Sequence, residues 1–195
     1  MKNKLFLSAV VILFALTLSA QRQYTVVKFN GDTLYFDELA AGGKTIVCKS
    51  QGKEKVKLIA SEVSYYIAPY KIWIQNEGER KAHQIDTTKK CFVPADGRIY
   101  TVEIENDSVY LASIEKEING MTFMDYHIFR KKDNSEILEI KEDKTAPETL
   151  KKYFGGSCQV FDQQIIEFRP KFQKVKFPYE EWSTLLYTYS TKCVK

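Results

Sequence analysis

The sequence is poor in residues that carry chemistry. Its 195 residues include only two histidines, His83 and His127, set 44 positions apart. There is no CxxC and no HExxH, so the short spacings that clamp zinc between neighbouring side chains are missing. The run AAGGKT at 40–45 follows neither phosphate-binding fingerprint. No metal and no cofactor is therefore expected. His127 reads as an ordinary strand residue, and His83 as a solvated one in a polar loop. A large excess of one charge is missing too. With 29 Lys and Arg against 25 Asp and Glu, the formal charge is +4, which gives no reason to expect nucleic acid as a partner.

Long apolar runs are scarce, and the one that stands out is at the N-terminus. MKNKLFLSAVVILFALTLSAQRQ sets Lys2 and Lys4 before an apolar stretch from Leu5 to Leu18, with Ser19 and Ala20 behind it. About 14 apolar residues fall short of the roughly 20 that span a bilayer, and the basic, apolar, small order is that of a secretory signal. We expect residues 1–20 to be a cleaved signal peptide. The protein is then exported, either periplasmic, outer-membrane-associated or secreted, and not integral to the membrane after cleavage. Loss of Lys2 and Lys4 lowers the formal charge to +2. The remaining chain, about 175 residues, suffices for one domain with a real core or two small ones.

Aromatic residues are abundant, at 13% with 12 tyrosines, and suit half-buried sheet faces. Between Gln23 and Gln75, short apolar-rich runs alternate with turn residues. QYTVVKF and TLYFDEL flank Asn30-Gly31-Asp32, and Gly42-Gly43 precedes KTIVCKS. Gln51-Gly52-Lys53 separates that from EKVKLIA, and EVSYYI and YKIWIQ are divided at Ala68-Pro69. Short strands joined this closely predict an antiparallel meander. Residues 76–97 are polar apart from CFV and form the expected sub-boundary inside a β-rich domain over 21–145. Two more hairpins follow. RIYTVEIENDSVYLASIEK turns at Asn106-Asp107, with Val102 and Ile104 alternating with Glu103 and Glu105. MTFMDYHIFRKKDNSEILEI turns at Lys132–Ser135. The carboxylate pairs Glu103/Glu105 and Glu180/Glu181 read as solvated faces and helix charge.

From Thr145 the pattern becomes helical. Thr145 and Glu148 form a capping-box pattern, Pro147 suits a first turn, and Gly155 suits a terminator. Leu150, Tyr153 and Phe154 share one face. A second short helix capped by Ser157 is expected through Ile166, with Phe161 and Ile165 inward. Pro178 opens a last helix, with Trp182, Leu185, Leu186 and Tyr189 at i, i+3, i+4 and i+7. The expected fold class is α+β: antiparallel β meander and hairpins, then a two- to three-helix tail over 146–195 packed on them.

All four cysteines follow the signal, and an oxidising compartment favours their pairing. A nucleophilic role for Cys158 in LKKYFGGSCQVF would need a base. Both histidines precede it, whereas papain-like enzymes place theirs downstream, and the context of caspases and sortases is absent. Cys158 instead starts a short helix and Cys193 ends the last one. A bridge between them would close the tail across 35 positions and contribute about 3 to 4 kcal/mol. Cys158–Cys193 is the expected disulfide. Cys48 and Cys91 lie in apolar runs and form a possible second disulfide or remain free buried thiols.

FRPKFQKVKF, 168–177, interleaves Arg169, Lys171, Lys174 and Lys176 with three phenylalanines. It is a possible anionic-ligand patch for a glycan or lipid head group; the simpler reading is an extended connector with apolar residues packed and lysines out. An eight-stranded membrane barrel would fit the length, but EKVKLIASEV carries charge on both faces.

The FNGDTLY turn, the VYLASIEK strand and the tail LKKYFGGSC with LLYTYSTKC together resemble uncharacterised exported proteins of Bacteroidota. Those pair a Gly-Asp-Thr strand opening with a tail closed by a Tyr-x-x-Cys helix. The chain departs from them at GGS and at Ser190. The resemblance implies an envelope location and a paired Cys158 and Cys193, and carries no catalytic residues. The expected function is accordingly non-catalytic binding of an envelope protein or glycan, or a structural role. The alternative is a hydrolase acting on an envelope polymer, which would need His and acidic residues converging in one cleft.

Overall fold

The computed structural model describes residues 23–74, 83–141, 145–156, 158–174 and 179–193. Among them are eleven strands: β1 Tyr24–Lys28, β2 Thr33–Phe36, β3 Glu38–Gly42, β4 Thr45–Lys49, β5 Val56–Ile59, β6 Val63–Ile74, β7 His83–Phe92, β8 Tyr100–Glu105, β9 Val109–Ile118, β10 Met121–Arg130 and β11 Glu136–Glu139. Three helices follow, α1 Ala146–Phe154, α2 Gln159–Lys174 and α3 Tyr179–Thr188, ending in a π-helical turn over Tyr189–Cys193. Eight strands form one antiparallel sheet in the order β11-β10-β9-β8-β7-β6-β1-β2, and β3-β4-β5 form a second. This is the expected α+β class with a helical tail. Among the described residues, β11 and β2 are the edge strands of the large sheet. No helix among the described residues is long and apolar enough to cross a membrane.

Local chemistry explains most of the turns. At Asn30-Gly31 the Gly31 N–H bonds the Lys28 carbonyl, and Gly31 has φ +91°. This is a three-residue hairpin loop with glycine at the left-handed position. Asn119 and Gly120, with φ +53° and +77°, make the two-residue turn joining β9 to β10. Pro69 does not divide β6 as expected. The last β1 partner on β6 is Ile67, so beyond it β6 has only β7 beside it. A missing N–H is tolerated on such an open side. The expected sub-boundary at 76–97 likewise holds β7, which pairs with β6 from Tyr66↔Cys91 to Ile74↔His83 and makes one sheet of both halves.

Three cores result. Val26 and Tyr66 of the large sheet pack on Ile46, Cys48 and Leu58 of the small one. Leu111, Tyr126 and Ile128 pack under the helices against Leu150, Phe161, Trp182 and Leu185. On the opposite face of the same strands, Phe92, Tyr100, Tyr110 and Phe129 form an aromatic cluster with ring centroids 4.8–5.9 Å apart. The large sheet curls around that cluster. Asn134, in the β10–β11 turn, donates from Nδ2 to the Ser64 carbonyl at 2.7 Å at the start of β6. In a flat sheet β10 and β6 would lie roughly 19 Å apart, at about 4.8 Å per strand spacing.

The tail is bonded as expected and built differently in detail. Cys158 and Cys193 form a disulfide with Cα atoms 5.3 Å apart. The capping box does not form: Thr145 has helical φ and ψ and no side-chain capping bond, and Glu148 pairs with Arg169 instead. Gly155 ends α1 because a Cβ there would lie 2.4 Å from the Lys151 carbonyl oxygen, so space, not a left-handed φ, requires glycine. The second helix does not stop at Ile166 but runs to Lys174 with Pro170 inside it. The carbonyl that proline leaves without an N–H belongs to Ile166, an exposed residue, where water can satisfy it.

Candidate functional site

Five segments that meet where the curled sheet approaches the small one border a cavity of about 320 Å³. Phe29 comes from the β1–β2 turn, Ile59 and Ala60 from the end of β5, and Val93 and Pro94 from the loop after β7; Asp133 and Asn134 come from the β10–β11 turn, and Lys44 from the β3–β4 turn. Backbone bonds fix the frame: Phe29 N–H to Glu62 O, Ala60 N–H to Lys44 O and Gly43 N–H to Gly97 O, each 3.0 Å. Gly97 approaches so closely that a Cβ on it would sit 2.9 Å from the Gly43 Cα, and its φ is +77°. The lining is mostly apolar, and Lys44, Ser61, Asp133 and Asn134 are its polar members.

Asn134 is the side chain that makes this cavity unusual. It is 3% exposed and takes φ +54°, a conformation asparagine accepts more readily than other non-glycine residues. Its amide faces two carbonyl oxygens, Val63 O at 3.3 Å and Ser64 O at 2.7 Å. Only the NH2 group can donate to them, so the orientation of the amide is settled and Oδ1 is the atom left over. Oδ1 is buried and has no hydrogen-bond partner among the described residues. Such an acceptor costs about 1 to 3 kcal/mol unless a donor reaches it. Asn134 is also one of the residues that line the cavity.

Beside the cavity, the loop after β7 is pinned by its own charges. Asp96 accepts from the Arg98 backbone N–H at 2.9 Å, from Arg98 Nε at 2.7 Å and from the Tyr100 hydroxyl at 2.9 Å. Burial works against the Asp96 carboxylate, but these three donors hold its pKa below the usual range. Burial and the bond to Asp96 push the Tyr100 phenol up.

Glu105 is not the solvated residue that its sequence context suggested. Lys90 Nζ reaches its two oxygens at 2.7 and 2.8 Å, and Lys131 Nζ approaches one at 2.7 Å. Burial raises its pKa, and the two ammonium groups outweigh that and hold it low. Both lysines also lie over the Tyr110 ring, whose pKa burial pushes up to about 12. The expected alternation of Val102 with Glu103 fails for a related reason. A register shift between Val102 and Ile104 sends Val102 to the aromatic cluster and Ile104 to the helical core.

His127 lies on β10 at the edge of the aromatic cluster, 4% exposed. Glu136 binds its Nδ1 at 2.8 Å, and Nε2 is buried with no hydrogen-bond partner among the described residues. Asp125, His127 and Glu139 each offer one ligand atom within 4.8 Å of the others. A second register shift is responsible. Phe129 faces Glu136, but Ile128 faces Leu138 and His127 faces Glu139. Without that shift His127 would stand opposite Leu138. Sequence spacing alone does not reveal such a cluster, because the extra residue sits in an otherwise regular hairpin.

The other expected residues are dispersed. Cys48 and Cys91 do not form a second disulfide; both are buried thiols in the core between the sheets. Burial pushes the Cys48 thiol up to about 11 and raises Cys91 as well, so both stay protonated and unreactive. The 168–177 run is helical through Lys174 rather than an extended connector. Arg169 pairs with Glu148 and Lys171 with Glu181, and these two positions are about 200° apart around the helix. Lys174 is exposed at the end of α2, and Lys176 lies outside the described residues. The described cations therefore do not form one free patch. His83 opens β7, and its side chain lies outside the described residues. No protein-family model, curated protein or solved structure matches the chain.

Proposed function

We propose that this protein is exported and acts in the cell envelope as a non-catalytic binding protein. Its ligand is a small, mostly apolar group that carries an N–H or O–H donor, such as a substituent of an envelope protein or glycan. The observation that carries this reading is Asn134, which lines a mostly apolar cavity of about 320 Å³ and whose Oδ1 is a buried acceptor without a hydrogen-bond partner among the described residues. That volume lies at the lower end of the range of ligand pockets, and a few placed polar groups among apolar walls are how such pockets orient what they hold. Export is supported by the basic and apolar N-terminus and by the Cys158–Cys193 bridge, which an oxidising compartment maintains. The likeness of its two ends to exported Bacteroidota proteins points the same way. The hydrolase alternative is less favoured: His127 meets the carboxylate of Glu136, but no serine or cysteine hydrogen-bonds it among the described residues.

The test is native mass spectrometry of the protein isolated from its own envelope without denaturation. The expected spectrum shows the chain beginning at or near Gln21 and carrying a bound small molecule. Ala95→Phe, at an exposed position on the cavity rim, should lose that adduct and keep the fold. A chain that retains residues 1–20 sinks the export half of the proposal. An adduct that survives Ala95→Phe, or no adduct at all, sinks the binding half.

A further inference from the structure

We propose that Asp125, His127 and Glu139 form a binding site for one divalent first-row metal ion, with zinc or manganese the natural candidates. This inference is independent of the cavity around Asn134. Three observations carry it. The first is placement. Asp125 and His127 are two residues apart on β10 and share a face, and the register shift between Ile128 and Phe129 sets Glu139 opposite His127. The second is distance. The three ligand atoms lie within 4.8 Å of one another. Atoms sharing one ion at bonds of about 2.0 to 2.2 Å stand roughly 3 to 3.5 Å apart, so small rotations of Asp125 and of exposed Glu139 complete the set.

The third is the state of the histidine. A buried imidazole nitrogen without a partner is uncommon, and His127 Nε2 is one. Glu136 engages the other nitrogen at 2.8 Å. A carboxylate accepting from Nδ1–H fixes the tautomer and leaves the Nε2 lone pair for a metal, an arrangement that recurs around metal-ligating histidines. Glu136 is thus a positioning residue and not a ligand. One imidazole and two carboxylates suit zinc, manganese or ferrous iron more than the thiolate-seeking cuprous ion, and two negative charges balance the ion. Lys116 Nζ, 3.2 Å from Asp125 Oδ2, occupies that oxygen in the absence of metal and would be released on binding. The competing arrangement is a proton on Nε2 directed at the Tyr100 ring, whose centroid is 5.2 Å from that of the imidazole.

The experiment is calorimetric titration of the chelator-stripped mature protein with zinc chloride and with manganese chloride. One ion per chain is expected, and Asp125→Asn and Glu139→Gln should each weaken binding at least tenfold. Glu136→Gln should weaken it about 10- to 100-fold. Glu139 is exposed, so its substitution leaves the fold intact and keeps the test valid if His127→Gln unfolds the chain. A second readout is the histidine nitrogen-15 spectrum. On zinc addition the His127 Nε2 resonance should move to the metal-bound position while Nδ1 keeps its proton. Three results would each overturn the proposal: no saturable binding to the folded protein, binding unchanged in both Asp125→Asn and Glu139→Gln, or binding abolished by His83→Gln alone.

Discussion

Cys158 and Cys193 are bonded, whereas Cys48 and Cys91 are free, and the halves of the molecule that hold these two pairs are built differently. On the helical side, three helices of 9, 16 and 10 residues dock on the face formed by β8 to β11. Each is amphipathic and short, and isolated helices of this length are marginal in water. The tail gains from a covalent closure that reduces the freedom of the unfolded chain. On the small-sheet side, the two sheets interdigitate and bury both cysteines among Val26, Ile46 and Tyr66. There a thiol serves as a small apolar side chain, and cohesion comes from burial. The helical side is closed by a covalent staple, and the cavity opens where five segments meet between the two sheets. A covalent closure thus goes with helices docked on a sheet, and free thiols with a core shared between two sheets.

Removal of the staple should separate the two halves most. Cys158→Ser with Cys193→Ser should lower unfolding stability in urea by about 3 to 4 kcal/mol. The loss should appear as faster amide exchange at Leu150 and Phe161, with Ile46 and Leu58 unchanged. Equal loss of protection in both halves would mean that they are one cooperative unit and that the contrast is wrong.

A smaller effect sharpens it from the side of the curl. Glu105 joins Lys90 of β7 to Lys131 beyond β10, and its folded pKa lies below its ordinary 4.5. A carboxylate with a depressed folded pKa contributes stability that is full above the ordinary value and is lost as pH falls below it, through the lowered value. Wild type should therefore lose about 1 kcal/mol more than Glu105→Gln between pH 7 and pH 3, charge-assisted hydrogen bonds being the source. Parallel pH profiles for the two proteins would show that the pairs contribute nothing to the curl.

The hairpins were legible because turn chemistry is local. Asn30-Gly31, Asn106-Asp107 and Lys132–Ser135 each mark a change of direction that the structure contains. Asn119-Gly120 carries the same signal and is an equally readable turn. The helical stripes of Leu150 and Phe154 and of Trp182, Leu185 and Tyr189 were legible for the same reason, since period and burial agree. What escaped is non-local. β1 pairs with β6 across an inserted sheet, and nothing within either strand announces that. The shifts at Val102/Ile104 and Ile128/Phe129 each move one residue, which exchanges the faces of all that follow. Those single-residue shifts decide that Glu105 meets two lysines and that His127 meets Glu139. The polar look of 76–97 concealed β7 because half of that strand is exposed. The cavity depends on a curl that shows in the hydrogen bonds from Asn134 to Val63 and Ser64, 70 and more positions away in the sequence.

The most direct test of the central claim, that this molecule binds through the cavity at Asn134, is a nitrogen-15 NMR titration of the folded mature protein with a library of small apolar hydrogen-bond donors. Binding fragments should shift the amides of Phe29, Ile59 and Asn134 together with the Asn134 side-chain NH2, and Ala95→Phe should remove those shifts. Shifts confined to the exposed Ile118, Met121 and Phe123 of the β9–β10 hairpin, or no saturable shift with any fragment, would contradict that claim.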